Sequence, residues 1–417
     1  MEPDPLSLIR GSDVTTRREE LVPFTWPNRP PADCPFPQSL SLAGITFTGR
    51  HAHYTSADTW YPSWAADDAL YSPWTDGCFS ERRWLPVDCS SKAGDPSNAG
   101  RGGRSGTGAA RILGDDPLRL SLENLGVEYA SPAPYGGRYP CASLAHDGVW
   151  YYGTYCLDES GRVAADGRPL NWDILGPFVG FRMSRDGGET WEETPHSPAR
   201  PLFGESGKNG GKIRVGAPHF VDFGRNLRHS PDGKAYLVGH GAERPDAELA
   251  WIRGDQAYLC RVDPSPETMN DAGAYEFFAG HDPDGTPQWT RDFAFIKPLV
   301  EWPGRIGHAT ITYDAPLDKY LLCITDGGNT IGAFDSYILE ADAITGPYRL
   351  INFMKRFGEQ GYFLNIPSKF ISADGRTMWL CYSANFTNHY LHTDWRSDPP
   401  GSCYALCLQE ITLGTSG

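Results

Sequence analysis

Short apolar runs separated by turns rich in Asp, Gly and Pro recur five times along the chain. They read YPSWAADDALYSPWTD (61–76), YPCASLAHDGVWYYGTYCLD (139–158), APHFVDFGRNLRHSPDGKAYLVGHG (217–241), GHATITYDAPLDKYLLCITD (307–326) and NIPSKFISADGRTMWLCYSA (365–384). Runs of this length, bounded by turn residues and rich in aromatic and β-branched side chains, predict strands. Two runs around one turn predict a hairpin. A hairpin that recurs through one stretch of chain with no linker-like break predicts a repeat architecture. The pattern therefore predicts an all-β protein, a five-bladed β-propeller in which each repeat is the inner hairpin of a blade. No long amphipathic helix is predicted.

The segments after each hairpin supply outer strands: ARILGDDPLRLSL, GFRMSRDGGETWEE, QAYLCRVDPSPE with AYEFFAG, and DSYILEADAITGPYRLINFM. Residues 1–40, rich in Pro and charge, read as an extended arm, and 41–417 as a single propeller domain. The strand SLAGITFTGR (41–50) is expected to pair with YALCLQEITL (404–413), closing the ring and removing its edges. Two Gly- and Ser-rich insertions, 88–111 with Arg101 and Arg104 and 201–214 with Lys208 and Lys212, read as pocket-rim loops or plain surface loops.

The chain has 417 residues, 12% aromatic, with 47 Gly and 35 Pro, which suits strands and turns. Its formal charge of −15 argues against nucleic acid and anionic membranes as partners and mildly disfavours a strongly polyanionic substrate, a local basic pocket aside; the expected partner, a carbohydrate, rests on the chemistry of the first blade. The oligomeric state is open. The N-terminal MEPDPLSLIRGSD has neither a basic nor an apolar signal-like stretch, so the expected location is cytoplasmic, with secretion the alternative if a signal has been trimmed. Seven of the ten Cys sit in apolar strand-like runs, as buried thiols do; Cys34, Cys78 and Cys89 fall in loop-like sequence, where one disulfide is open. Cys403 and Cys407 are expected in one strand, and no zinc motif occurs.

SRDGGETW (184–191) matches the Asp-box pattern S-x-D-x-G-x-x-W found in sialidases and other propellers. Ser184 and Asp186 are expected to bond the turn backbone, Gly188 to take positive φ and Trp191 to pack beneath. The box is structural and lies away from a central pocket.

The first blade carries the densest chemistry. Asp58 stands just before the first inner strand and Asp76 just after the second, so a hairpin brings both carboxylates to one rim, flanked by Trp60 and Trp74. Paired carboxylates with aromatic walls suit glycosidic cleavage, one acting as acid and one as base or nucleophile. SADTWYPSWAADDALYSPWTDG (56–77) resembles the opening of a bacterial propeller family, long catalogued as a domain of unknown function, that includes endo-D-arabinanases. The resemblance implies that Asp58 and Asp76 match that family's two catalytic Asp. Here WT precedes Asp76 in place of the typical FG, and Asp58 sits in ADTW. More loosely the chain resembles the five-bladed arabinanase, xylosidase and fructosidase propellers, which use three pocket acids on three blades.

Other blades offer polar residues at equivalent positions. His219, His308 and Asn365 begin inner strands; Glu243 and Asp326 follow second strands; Arg138 and Arg305 precede inner strands. The expected catalytic set is Asp58, Asp76 and Glu243. The expected substrate contacts are Trp60, Trp74, Arg138, His219, Arg305, His308, Asp326 and Asn365. No cofactor is required by this scheme, and a divalent cation such as calcium at His219, His308 and Asp326 is the alternative use of those residues. The leading function is a glycoside hydrolase. The alternatives are a polysaccharide lyase using His219, His308, Arg138 and Arg305 on a uronate, and a non-catalytic glycan-binding propeller.

Overall fold

The computed structural model describes residues 8–9, 17–18, 22–79, 89–90, 105–131, 139–158, 160–163, 167, 173–206, 212–244, 246–327, 332–386 and 398–415. Arg138, Arg101, Arg104 and Lys208 lie outside the described residues.

Five antiparallel sheets form a five-bladed β-propeller. Blade one has an interrupted inner strand, Ser56–Asp58 and Ser63–Trp64, then Leu70–Cys78, Ser105–Leu113 and Ser121–Ser131. Blade two is Tyr139–His146, Val149–Asp158 and Ile174–Ser184. Blade three is Ile213–Phe220, Ala235–Ala242 and Gln256–Val262, and its third strand pairs with both Glu276–His281 and Pro298–Glu301. Blade four is Ala309–Asp314, Lys319–Asp326, Asp335–Ala341 and Arg349–Met354. Blade five is Tyr362–Asn365, Thr377–Ser383, Leu406–Thr415 and, from the other end of the chain, Leu42–Tyr54.

The last pairing closes the ring as the sequence suggested. Leu406 stands opposite Tyr54 and Thr415 opposite Leu42, so neither terminal strand is left as a bare edge. Short arm strands follow this closure; Phe24–Thr25 pairs with Phe47 and Thr46. All five inner hairpins fall where the repeats placed them. Their strands are buried almost without interruption, because each sheet is covered on both faces by its neighbours.

The Asp-box forms as expected. The Ser184 hydroxyl donates to Asp186 (2.8 Å), the Gly188 and Thr190 N–H groups bond Ser184 and Asp186 (2.8 and 2.9 Å), and Gly188 has φ 98°. Trp191 packs on Trp150 with centroids 5.0 Å apart.

Cysteine placement departs from the sequence reading at one point. Cys403 lies in the turn before Leu406–Thr415 and only Cys407 is in the strand, with the two sulfurs 3.9 Å apart and both thiols free. Cys78 is disulfide-bonded, and strand register puts Cys89 opposite it. The other eight cysteines are free thiols. Titration of the denatured, unreduced protein with a thiol reagent should therefore find eight reactive groups and not the ten of the sequence; ten would remove the cross-link.

Candidate active site

Asp58 ends the first inner segment of blade one and is 8% exposed. Its carboxylate accepts two hydroxyl hydrogen bonds, from Thr59 to Oδ1 (2.7 Å) and from Tyr362 of blade five to Oδ2 (3.0 Å). Asp76 stands beside it through a backbone irregularity. Ala57 pairs with Gly77 and Asp58 with Thr75, so Asp76 is the extra residue of a β-bulge, with φ 44°. A bulge re-aims the side chain it carries. Gly77 completes it at φ 135°, where a Cβ would collide with the Ser56 carbonyl oxygen. The Asp76 carbonyl accepts the Tyr404 hydroxyl.

The two carboxylates line one cavity of about 40 Å³, whose other walls include Tyr139 and Tyr155 of blade two, Trp251 from a loop of blade three, and Tyr362 of blade five. Three lining residues, Thr59 (φ 70°), Asp76 (φ 44°) and Phe363 (φ 58°), hold left-handed backbone. This conformation is uncommon for non-glycine residues and unfavourable above all for a β-branched Thr. Ten other non-glycine residues among those described also hold positive φ, several in turns, so the conformation shapes this wall without being confined to it.

Beneath the cavity lies a ring stack drawn from blades one, three, four and five. Tyr61 lies 4.1 Å from His219, His219 lies 4.3 Å from His308, and His308 lies 5.1 Å from Phe363, centroid to centroid. His219 and His308 are buried, and none of their ring nitrogens has a hydrogen bond of normal geometry; His219 has only a weak contact with the Cys141 backbone. Burial therefore holds both rings well below the ordinary imidazole value and neutral. His240, also buried, is pushed down to about 4 by the same desolvation. Its Nε2 lies 2.8 Å from the Ala250 carbonyl, which ties down the loop carrying Trp251. Trp251 packs against Tyr362 and Phe363 (both 5.3 Å), and its own indole N–H is buried with no acceptor among the described residues.

The structure gathers only part of the expected set. Asp58 and Asp76 share the cavity; Trp60 and Trp74 face the core instead. They are 1% and 0% exposed, and their indole N–H groups go to the Ala57 (2.8 Å) and Ala109 (3.3 Å) carbonyls. The left-handed Thr59 between Asp58 and Trp60, and the bulge between Trp74 and Gly77, break the two-residue alternation that would have put these side chains on one face. Trp74 lies across Gly108, where a Cβ would meet its ring.

Glu243 is exposed and does not line the cavity. Arg305 is spent on Asp326 (2.8 Å) and approaches Asp335 (3.7 Å). Asp326 is thereby taken out of the expected cation set, and among the described residues no three His, Cys, Asp or Glu side chains converge as metal ligands. Burial raises the Asp326 carboxyl, and the Arg305 guanidinium partly offsets that. Asn365 donates to the Trp60 (3.0 Å) and Phe363 (2.9 Å) carbonyls and so props the inner strand.

Sequence reasoning missed Tyr139, Tyr155, Trp251, Tyr362 and Tyr404. Tyr139 begins a blade's first inner strand, close to the place that Asp58 holds in blade one, but a tyrosine there has no charge to mark it. Trp251 lies on a loop and carries no periodic signal.

No family profile matches the chain, and no curated protein sequence matches it. Solved structures that resemble it include a Bacteroides ovatus protein assigned as a hydrolase (11% identity, 96% of this chain and 97% of that one, TM-score 0.45). Others are a GH43 β-xylosidase/α-arabinofuranosidase from a compost microbial metagenome (14%, 87% and 92%, 0.43) and an α-L-arabinofuranosidase from Podospora anserina (11%, 87% and 92%, 0.40).

The buried histidines have a measurable consequence. Unfolded, each binds a proton below about pH 6.5, while the folded ring stays neutral, so folding stability falls as pH drops through that value. His308→Phe keeps a ring in the stack and removes one such proton. Relative to the parent, the variant should gain up to about 2 kcal/mol between roughly pH 6.5 and pH 5 in denaturant titrations. An unchanged difference across that range would mean that His308 is not held neutral.

Proposed function

We propose that the protein is a glycoside hydrolase whose reaction centre is Asp58 and Asp76. One observation carries the reading: two carboxylates meet at a strained, aromatic-walled void of about 40 Å³ on the propeller axis. Two hydroxyl donors fix Asp58 as an acceptor, which suits the base that takes a proton from water as its oxygen bonds to the anomeric carbon. Asp76, presented by the bulge, then gives its proton to the leaving glycosidic oxygen as the C–O bond breaks. Trp251, on the loop that His240 holds, is part of the wall a sugar would meet, and its indole N–H, which has no acceptor among the described residues, would gain a sugar hydroxyl.

The lyase reading has less support. His219 and His308 lie beneath the cavity with 3% and 1% exposure, and Arg305 is already paired with carboxylates. The disulfide at Cys78 favours an oxidising compartment, hence the secreted alternative over the cytoplasmic one.

On a glycan panel that includes arabinan and xylan oligosaccharides, the parent should release reducing ends without forming an ultraviolet-absorbing unsaturated product. Asp58→Asn and Asp76→Asn should each lower the rate by about 10²–10⁴-fold; full activity in either variant would overturn the pairing. Trp251→Phe, which keeps the ring and loses the N–H, should raise KM several-fold with kcat little changed, whereas a collapsed site would lower both.

A further inference from the structure

A much larger cavity, about 540 Å³, lies away from the axis between blades four and five. Its floor is aromatic and well packed: Phe24 stacks on Phe47 at 5.1 Å, and Trp26 lies 5.5 Å from Phe47 and 5.7 Å from Phe357. Its rim is basic, formed by Arg29, Lys355 and Arg356. Arg356 holds Glu359 at 2.7 Å, whereas Arg29 and Lys355 are exposed and join no ion pair among the described residues. One carboxylate, Asp398, also lines the cavity.

Three cations over an aromatic floor run against the sign of a chain with 52 acidic and 37 basic residues. The volume falls within the ~300–1,000 Å³ usual for small-molecule sites, which is room for an oligosaccharide segment and not merely an ion. Of the floor rings only Phe24 is half-buried, and its face turned from Phe47 suits the C–H surface of one sugar ring, while Arg and Lys suit carboxylates.

We propose that this cleft binds an oligosaccharide stretch bearing carboxylate groups. It rests on the hydrolase reading only for the choice of a saccharide. Two short segments join the cleft to the axial cavity. In one, Lys355 and Arg356 wall the cleft while Tyr362 and Phe363 wall the cavity; in the other, Pro399 and Pro400 serve the cleft and Tyr404 the cavity. The cleft is thus tied through the chain to the axial cavity, and it would hold one part of a polymer while the axial site acts on another.

The test uses the full chain carrying Asp58→Asn and calorimetric titration with trigalacturonate, with maltotriose and citrate as comparison ligands. Trigalacturonate should bind more tightly than either, and more weakly as salt rises. Arg29→Ala with Lys355→Ala should weaken it at least tenfold, and Lys355→Gln alone should weaken it measurably. Equal binding of maltotriose would overturn the role of the carboxylates, and equal binding of citrate the role of the saccharide. Affinity insensitive to the rim substitutions but lost with Trp251→Ala would put the ligand in the axial cavity and overturn the second site. Reducing-end release by the parent protein tests the hydrolase reading separately, so one can fail without the other.

Discussion

The axial site depends on one break in strand regularity, the extra residue that Asp76 inserts opposite Asp58. In a regular strand, side chains alternate between faces, and Trp74 and Asp76 would share one. The bulge frees Asp76 from that rule, and the left-handed Thr59 does the same for Asp58 and Trp60. Carboxylates are turned to the axis and indoles to the core. Together with Phe363, these left-handed residues store of the order of 1–3 kcal/mol each. That sum is a large fraction of the ~5–15 kcal/mol by which a domain is stable. The packed blades hold this geometry, and pairing of Leu42–Tyr54 with Leu406–Thr415 closes the ring they form.

Polarity is graded along the axis. At the top, Asp58 and Asp76 face an aromatic collar. Below them, His219 and His308 are stacked with Tyr61 and Phe363 and kept neutral by burial. A neutral layer adds no compensating charge under the carboxylates, and the low dielectric of the aromatic wall strengthens whatever charge develops between them. His240 connects the two levels by fixing the loop that carries Trp251.

Much of the fold was legible in the sequence because hairpins are local: strand period and turn residues mark each one, and the terminal strands close the ring. The site was legible only in part. That Asp58 and Asp76 come together at one cavity was legible because both ends of one hairpin reach one rim. Trp60 and Trp74 could not be assigned to the core, since the alternation that relates them to the carboxylates is broken by φ values that no residue type announces. Tyr362 and Trp251 reach the cavity from blade five and from a loop of blade three, contacts set by ring closure and not by local pattern. Glu243 and Asp326 occupied the right places in their blades, yet one side chain is exposed and the other is held by Arg305.

The most direct measurement of the proposed hydrolase activity is a double-mutant cycle on reducing-end release from a glycan panel. Residues of one reaction centre act as a unit, so losses on removing them are strongly non-additive. Asp58→Asn, Asp76→Asn and the double variant should therefore lose activity to a similar floor. Losses that multiply, with the double variant slower by the product of the single factors, would show two independent contributions and contradict a shared centre.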